Sequence, residues 1–583
     1  MQNVLTYIFI DNFNDFNLYK NKFNQSKSVW VSSSPYVINK LFNEGYKIEN
    51  IENYINKNQI NFLMRLSYKL SKKILSINPV KNKFLNQKVY KSMFYRDLAG
   101  MIGSYLYKYF LLLNFINQNN SNAQYVFIGN SIKKKTVDHA MSANDNIFFD
   151  IAKYLSKNNF KFIENKSNKK NKYSFIFYLK FKVLSILNLN INSFFYKLYK
   201  KFFFFKKNSK YKKNIYIFKE VYNFQNNFFK LIKEFNINFL DFEVSNLKFI
   251  LNRNKNLKIT EKIIFFFTKL IKKNKELSQV NFSPVISLIF EQHLQVLKNF
   301  ETNSVKINNE VNHQSINLKK SDIILSNILE RPLSLYFFFK LKNKIKFAFF
   351  EHGETSGYQK CWDIRKNSQT ILLGNFGFFT HQHGLNVHRK ILPKKIITGL
   401  CGAHYKYFEK KSLLKKIIIK KILGIPLFKK NVVYVADLFR NNSTYAPYIG
   451  RDLDIYNDTL EIINFLKKAN KEKTVILKQY PTSLYKDDFK FMDNEITTLN
   501  DFNWMHIYYV FDEVYFSAIQ SSWLYKNKWQ KINIANRPSY PINLESIKYK
   551  KKTNIVFKNI KIYKINKIFN TIDKGSWINL IKQ

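Results

Sequence analysis

The residues with the most chemical potential crowd into one short stretch. Five of the nine histidines, His352, His381, His383, His388 and His404, fall between Ile345 and His404. An apolar run, IKFAFF, ends there in Glu351-His352-Gly353-Glu354-Thr355-Ser356-Gly357. A second, ILLGNFGFF, ends in Thr380-His381-Gln382-His383-Gly384, and a third, KIITGL, ends in Cys401-Gly402-Ala403-His404. Apolar runs that stop at Gly, polar and ionisable residues are the mark of parallel strands delivering side chains to a crevice at their carboxyl ends. Carboxylates and imidazoles in such a crevice suit a general base that takes a proton from a hydroxyl. Glu351, His352 and Glu354 are the first candidates for that role, His381 and His383 the second. His381-Gln382-His383 also fits a pair of metal ligands, but no second cluster completes a four-ligand set, so no metal is expected.

Other chemical signals are weaker. Asp452-Leu453-Asp454 spells the Asp-x-Asp of metal-dependent transferases, yet it opens the helical pattern DLDIYNDTLEIINF, where acids complement the helix dipole, and it reads as a helix start. Ser32-Ser33-Ser34 precedes Pro35 and reads as a helix cap rather than a phosphate contact. His139, in a polar segment with Asp138 and Asp145, is a lone loop histidine. No P-loop, Rossmann glycine fingerprint, nucleophile elbow or Cys-x-x-Cys occurs.

The elements that position these residues follow from strand–helix alternation. LTYIFI and SVWVSSSPYVINKLFNEG begin a strand–turn–helix unit; AQYVFIGNS precedes the helical IFFDIAKYLSKN; NIYIFKE precedes NNFFKLIKEF; SDIILSNI precedes RPLSLYFFFKLKNK, which leads into IKFAFF. Short apolar strands alternating with helices predict α/β architecture and a parallel sheet. The expected organisation is a first α/β domain over 1–410, a basic helical linker over 411–430 ending in Gly424 and Pro426, and a second α/β domain over 431–583. Residues 165–213 interrupt the first domain, interleaving Phe, Tyr, Leu and Ile with Lys and holding no acid after Glu164. That composition suits peripheral contact with an anionic membrane, stacking and phosphate contact with nucleic acid, or lysines snorkelling over a core.

Composition sets the remaining bounds. At 583 residues, with 46% apolar residues, the chain can bury a core in more than one domain. Of its 96 basic residues nine are Arg and 87 Lys, and Asn, Ile, Phe and Tyr are abundant beside them. The codons for that set are rich in A and T, so genome bias accounts for much of the net charge of +56, and nucleic acid is not the expected partner. Against so few arginines, the group Arg331, Arg365, Arg389, Arg440 and Arg451 stands out, because Lys does not reproduce a planar bidentate clamp. The two cysteines, Cys361 and Cys401, show no metal-type spacing or disulfide framework, which points to a reducing, cytoplasmic setting. The amino terminus has no basic region before its apolar run and reads as a first strand rather than a signal peptide.

Taken in order, these pieces resemble the GT-B superfamily of glycosyltransferases, in particular the bacterial surface-polysaccharide and teichoic-acid type that includes CDP-glycerol glycerophosphotransferases and capsule transferases. The strand ending Glu351-His352-Gly353-Glu354 is similar to the family's acceptor-side loop, and KIITGLCGAHYKYF to the strand-Gly segment that closes its first domain. VVYVADLFRN resembles the opening strand of the donor domain, with Arg440 facing donor phosphates. TVILKQYP resembles a strand ending Lys-x-His-Pro, matched by Lys478 and Pro481, with Tyr480 at the His position. FDEVYFSAIQSSW resembles an Asp-led strand ending in paired serines at a helix start, matched by Asp512, Ser521 and Ser522.

This resemblance, covering about 320–540, implies two Rossmann-like parallel-sheet domains facing a cleft, with the basic aromatic insert in the first. It implies transfer of a glycosyl or glycerophosphoryl group from a nucleotide-activated donor to a polysaccharide or lipid-linked acceptor, in the cytoplasm at the inner face of the membrane. No cofactor is implied. Lys478, Arg440 and the helix start at Ser521 and Ser522 would take the charge of the departing phosphate. Where the family carries a Glu-Ala helix that holds the donor ribose, this chain has Leu524-Tyr525-Lys526, so a GT-B-like protein that binds a nucleotide sugar or glycan without catalysis is the alternative. A nucleic-acid-binding protein is the second alternative, and it rests on charge alone.

Overall fold

The computed structural model describes residues 4–10, 13–77, 86–119, 122–129, 136–139, 146–164, 214–218, 232, 235–240, 242, 244–249, 256–327, 329, 331–351, 373–379, 382–401, 412–436, 451–479, 497–499, 504–517, 531–536, 549–557, 560–565 and 576–582. The insert at 165–213 lies outside them. Three sheets carry the chain, and the architecture is α/β with Rossmann-like sheets, as the alternation predicts.

The first sheet comprises β1 (Thr6–Phe9), β2 (Ser28–Ser32), β3 (Ile48–Asn50), β4 (Gln124–Gly129) and β5 (Phe160–Glu164) in the order β3-β2-β1-β4-β5. The second comprises β6 (Asn214–Phe218), β7 (Asn236–Leu240), β8 (Ile323–Asn327), β9 (Lys346–Phe350), β10 (Phe376–Phe379) and β11 (Ile397–Leu400), ordered β11-β10-β9-β8-β6-β7. The first half of the chain therefore divides into two sheets. Both are parallel throughout, and their strands read as near-continuous apolar runs because helices cover both faces.

The third sheet comprises β12 (Asn431–Val435), β13 (Thr474–Lys478), β14 (Thr497–Leu499), β15 (Glu513–Phe516), β16 (Lys531–Asn536), β17 (Tyr549–Phe557) and β18 (Ile560–Ile565), ordered β14-β13-β12-β15-β16-β18-β17. Its strands are parallel as far as β16, and the β17–β18 hairpin joins antiparallel at the edge.

Three helices dominate the first half: α2 (Lys57–Ile77), α3 (Gln87–Gln118) and α6 (Ser283–Ser315). Tyr90, Tyr105 and Tyr109 of α3 are fully buried, and α3 is apolar on nearly every side. A helix of that kind lacks the 3.6-residue periodicity by which an amphipathic helix is recognised in sequence.

Local chemistry explains the shorter elements. α1 (Pro35–Asn43) starts where Ser34 Oγ accepts the Val37 amide at 3.3 Å with Pro35 in the first turn, and ends at Gly45 with φ +80°. The cap reading holds for Ser34, while Ser32 Oγ accepts the Ser34 amide at 3.0 Å and Ser33 Oγ accepts from the Lys108 ammonium. α4 (Ile147–Leu155) is capped by Asn146, whose Oδ1 accepts the Phe149 amide at 2.9 Å while its Nδ2 donates to Ile128 O at 3.0 Å. A Cβ at Gly129 would meet that Nδ2 at 2.7 Å, so glycine is what lets the helix start sit against the strand end.

Further along, α5 (Leu257–Ile271) lies beside α2, α7 (Pro332–Leu341) covers the second sheet, and α8 (Gln382–Arg389) follows β10. The linker helix α9 (Leu413–Ile422) ends at Gly424, φ +70°, and its Ile419 packs into the core of the third sheet with Val433 and Trp504. The helix α10 (Asp452–Ala469) begins at the Asp-x-Asp, as the dipole argument predicts. The last helix, α11 (Ser576–Lys582), returns to the second sheet, where Trp577, Ile578 and Ile581 join Phe350, Phe378 and Cys401 in one core. Among the described residues no helix is long and apolar enough to cross a membrane.

Candidate functional site

Each sheet reverses its strand order once among its parallel strands. The reversals lie between β1 and β4, between β6 and β8, and between β12 and β15. Open α/β sheets bind ligands in the crevice outside the carboxyl ends at such points, so the strand ends define the search.

At the third sheet the reversal is framed by Ala436 after β12 and Ser517 after β15, both buried. The Ala436 amide donates to Lys478 O at 2.9 Å, and the Tyr434 hydroxyl donates to Ser517 Oγ at 2.7 Å. Lys478 ends β13 with 1% exposure, and its ammonium donates to the backbone carbonyl of Gln479. Gln479 is buried to the same degree, and neither its side-chain nitrogen nor its oxygen has a hydrogen-bond partner among the described residues. A buried primary amide left unpaired costs about 1–3 kcal/mol. Such a group at a strand's carboxyl end, one strand from the reversal, is the feature that most clearly awaits a ligand. It adjoins Lys478 in sequence, and the signal that could have found it is the strand end itself: the residue after the last strand position of TVILK points where the sheet delivers its ligands.

At the second sheet, Glu351 follows β9 and is buried, its amide donating to Phe378 O at 2.9 Å. Cys401 follows β11 and is a buried thiol outside any disulfide. His388, on α8, is buried with Nδ1 held at 2.8 Å from Gly384 O and its ring 5.0 Å from Phe379, which makes it a packed helix residue. The side chain of His383, also on α8, is outside the described set, as are His352, Glu354, His381, Arg440, Tyr480, Pro481, Ser521 and Ser522. Of the expected site residues the structure thus describes Glu351 and Lys478, each at a strand's carboxyl end, in different sheets.

Asp512 lies at the opposite edge. Its Oδ2 accepts the Asn431 amide at 3.0 Å and its Oδ1 accepts from the Lys416 ammonium at 3.1 Å. It ties the amino ends of β12 and β15 to α9, away from the carboxyl-end crevice.

A buried polar cluster joins the first and third sheets. Lys108, on α3, is 1% exposed; its ammonium donates to Ser33 Oγ at 3.0 Å and stands 4.5 Å from the Phe148 ring centroid. Glu52, equally buried, accepts from the Tyr107 hydroxyl at 2.8 Å through Oε1 and from the Leu453 amide at 3.0 Å through Oε2. Arg451 forms a bidentate pair with Asp454, at 2.6 and 2.9 Å, and donates to the Glu52 and Ile55 carbonyls. Burial pushes the Glu52 carboxyl up from its ordinary pKa, with Lys108 the largest opposing influence. Ser33, Arg451 and Asp454 were singled out in sequence for other reasons, whereas Lys108, Tyr107 and Glu52 were not, because Lys108 and Tyr107 sit inside one long helix and nothing local marks them.

His139 is not a lone loop residue. Its Nδ1 is 3.0 Å from Asp97 Oδ2, its Nε2 is 2.9 Å from His293 Nδ1, and His293 Nε2 is 2.7 Å from the Tyr90 hydroxyl. The Asp97–His139–His293–Tyr90 chain anchors the segment after β4 to α3 and α6. Burial, helped by His139, holds the His293 pKa well below its usual value. A histidine kept neutral by the fold adds stability that is present above the unfolded pKa of about 6.5 and is lost as pH falls below it. Wild-type stability relative to His293→Gln should therefore decline below about pH 6.5 by up to about 1.4 kcal/mol per pH unit. Urea melts of both proteins from neutral to mildly acidic pH check this, and parallel pH profiles would contradict it.

Among the described residues no group of three or more His, Cys, Asp or Glu could hold a metal ion.

No protein-family model matches the chain, and no curated protein matches it. Among solved structures it is similar to OtsA in its apo form, at 10% identity over 53% of this chain and 78% of that one, with a TM-score of 0.29. It is also similar to the N-terminal domain of Candida albicans trehalose-6-phosphate phosphatase, at 11% identity over 54% and 78%, with a TM-score of 0.26. A third is the E. coli structure described as trehalose-6-phosphate bound with UDP-2-fluoro glucose, at 11% identity over 53% and 78%, with a TM-score of 0.28. Likeness at this level carries no argument about activity, and the functional reading rests on the chain's own residues.

Proposed function

We propose that the chain is a glycosyltransferase-like enzyme that moves a glycosyl or glycerophosphoryl group from a nucleotide-activated donor to a hydroxyl of a surface-polysaccharide precursor. The observation that supports it most is the buried amide of Gln479, unpaired among the described residues, at the carboxyl end of β13, the strand next to β12 at the reversal of the third sheet. A carboxamide offers one donor face and one acceptor face, which suits the polar edge of a base or the hydroxyls of a ribose. In this reading the donor's nucleotide sits over the carboxyl ends of β12, β13 and β15, with Lys478, Arg440, Ser521 and Ser522 facing its phosphates.

The reaction follows from that placement. The acceptor oxygen forms a bond to the transferred carbon or phosphorus, the bond to the nucleotide phosphate breaks, and a base takes the acceptor's proton. Glu351, at the end of β9, is the described candidate for the base, with His352 and Glu354 beside it in sequence and His381 and His383 following β10. No metal is required, because backbone amides and cations take the charge.

Gln479→Met tests the donor assignment. Methionine fills a similar volume without polar atoms, so the variant should gain about 1–3 kcal/mol in stability while its affinity for the bound nucleotide falls about ten-fold or more. Calorimetric titration and urea melts read both effects. Unchanged affinity would remove Gln479 from the site. The departure at Leu524-Tyr525-Lys526 favours a second reading, a nucleotide-sugar-binding protein without catalysis, and release of free nucleotide from any donor on addition of acceptor would exclude it.

A further inference from the structure

α2 and α5 lie side by side, and between their outer flanks runs an open groove of about 540 Å³. Ile77 of α2 and Phe266 of α5 give it an apolar floor, and Phe265, the acid Glu261 and Lys73, Lys262 and Lys269 complete its lining. Two large apolar side chains of α5 point outward beside it: Phe265 is 75% exposed and Leu257 69%. They are eight residues apart, roughly two turns, on one flank of the helix. Lys73 places its ammonium over the Phe266 ring, 5.0 Å from the centroid, so a cation already stands against the aromatic floor.

The charge around this groove is one-sided. α2 carries Lys57, Arg65, Lys69, Lys72 and Lys73 and no acidic residue. α5 carries Lys258, Lys262 and Lys269 against the single acid Glu261. Outward aromatic and aliphatic groups flanked by lysines are what a protein face needs to lie in the headgroup region, with rings and alkyl groups among acyl chains and ammonium groups against anionic heads.

We propose that the α2–α5 groove docks the protein on an anionic lipid bilayer. The occupant is chosen by complementarity. A second copy of the chain would bring the same positive charge to the contact. Nucleic acid would satisfy the lysines but not the rest of the face: Leu257 and Ile77 have no ring face for a base to stack on, and the Glu261 carboxylate in the lining repels phosphate. Only an anionic amphiphile satisfies the apolar floor and the lysines together. This docking is independent of the transferase reading.

Co-sedimentation of the full-length protein with vesicles tests it. Phosphatidylcholine vesicles containing phosphatidylglycerol should retain the protein far better than phosphatidylcholine alone, and retention should weaken with salt. Leu257→Ser/Phe265→Ser should lower the affinity about ten-fold or more by removing the inserted groups. Lys262→Glu/Lys269→Glu should lower it by about ten-fold through the lysine charges. All four side chains are at the surface, and circular dichroism of both variants should match wild type. No retention on anionic vesicles, retention unchanged in both variants, or single-stranded RNA binding that persists in both variants while vesicles fail to bind would each overturn the proposal.

Discussion

Trp577→Ala is expected to cost about 3–5 kcal/mol of stability, the range for removing a large aromatic from a well-packed core. The indole is fully buried, edge-on to Phe350 at 4.9 Å and tilted against Phe378 at 5.6 Å. It anchors α11 beneath β9 and β10, the two strands that end at Glu351 and before His381. Removing it leaves a cavity under the strand that holds the candidate base and frees the last helix from the second sheet. Urea melts should show the loss, and limited proteolysis should cut the variant first at its carboxyl-terminal helix. A change below about 1 kcal/mol would mean that the helix contributes little to this core.

The second large effect is at Lys108. Lys108→Met keeps the stem and removes the ammonium that faces Ser33 and holds down the Glu52 carboxyl. Removing a buried cation that favours a second buried charge leaves that charge less compensated. The cost approaches that of a broken buried pair, about 3–5 kcal/mol, lessened by the Tyr107 hydroxyl, the Leu453 amide and Arg451, which remain. The direction with pH follows from Glu52. Its carboxyl pKa is already raised in the fold and rises further without Lys108, so the neutral form suits the folded variant. Stability tied to a raised pKa is present below the unfolded value and is lost as pH rises through the folded one. The variant should therefore come closest to wild type at acidic pH and fall furthest behind it at neutral and higher pH. A deficit independent of pH would show that Lys108 acts by packing alone. Because the Leu453 amide and the Glu52 carboxylate bridge α10 to the first sheet, loss of Lys108 should also loosen that junction, seen as faster hydrogen exchange at the start of α10.

How much of this was legible in the sequence depends on the kind of signal. Strands β6, β8, β9, β12, β13 and β15 announce themselves as short apolar runs bounded by polar residues, and the structure has them within a residue or two of the runs. The helix start at Asp452 and the cap at Ser34 were legible because capping is local chemistry, written in adjacent residues. The division of the first half into two sheets was not, since strand neighbours are chosen by tertiary packing. The long helix α3 was missed because its middle is buried on nearly every face, so no single stripe stands out, and α6 because the buried stripe of its second half, Asn303, Ser304, Ile307 and Val311, is half polar. At the site, Glu351 and Lys478 could be named from the ends of apolar runs. Gln479 directly follows one of those runs, but its burial and lack of a described partner show only in the fold, and the Asp97–His139–His293–Tyr90 chain only once three distant segments have met.

Binding of a nucleotide at the carboxyl edge of the third sheet is the central claim. The most direct test is hydrogen exchange of the full-length protein with and without UDP, GDP, CDP or CMP, in the presence of EDTA. The claim predicts that one nucleotide binds without metal and slows exchange in the peptides spanning Ala436, Lys478–Gln479 and Ser517. Absence of binding by all four, or protection confined to the first sheet, would contradict it.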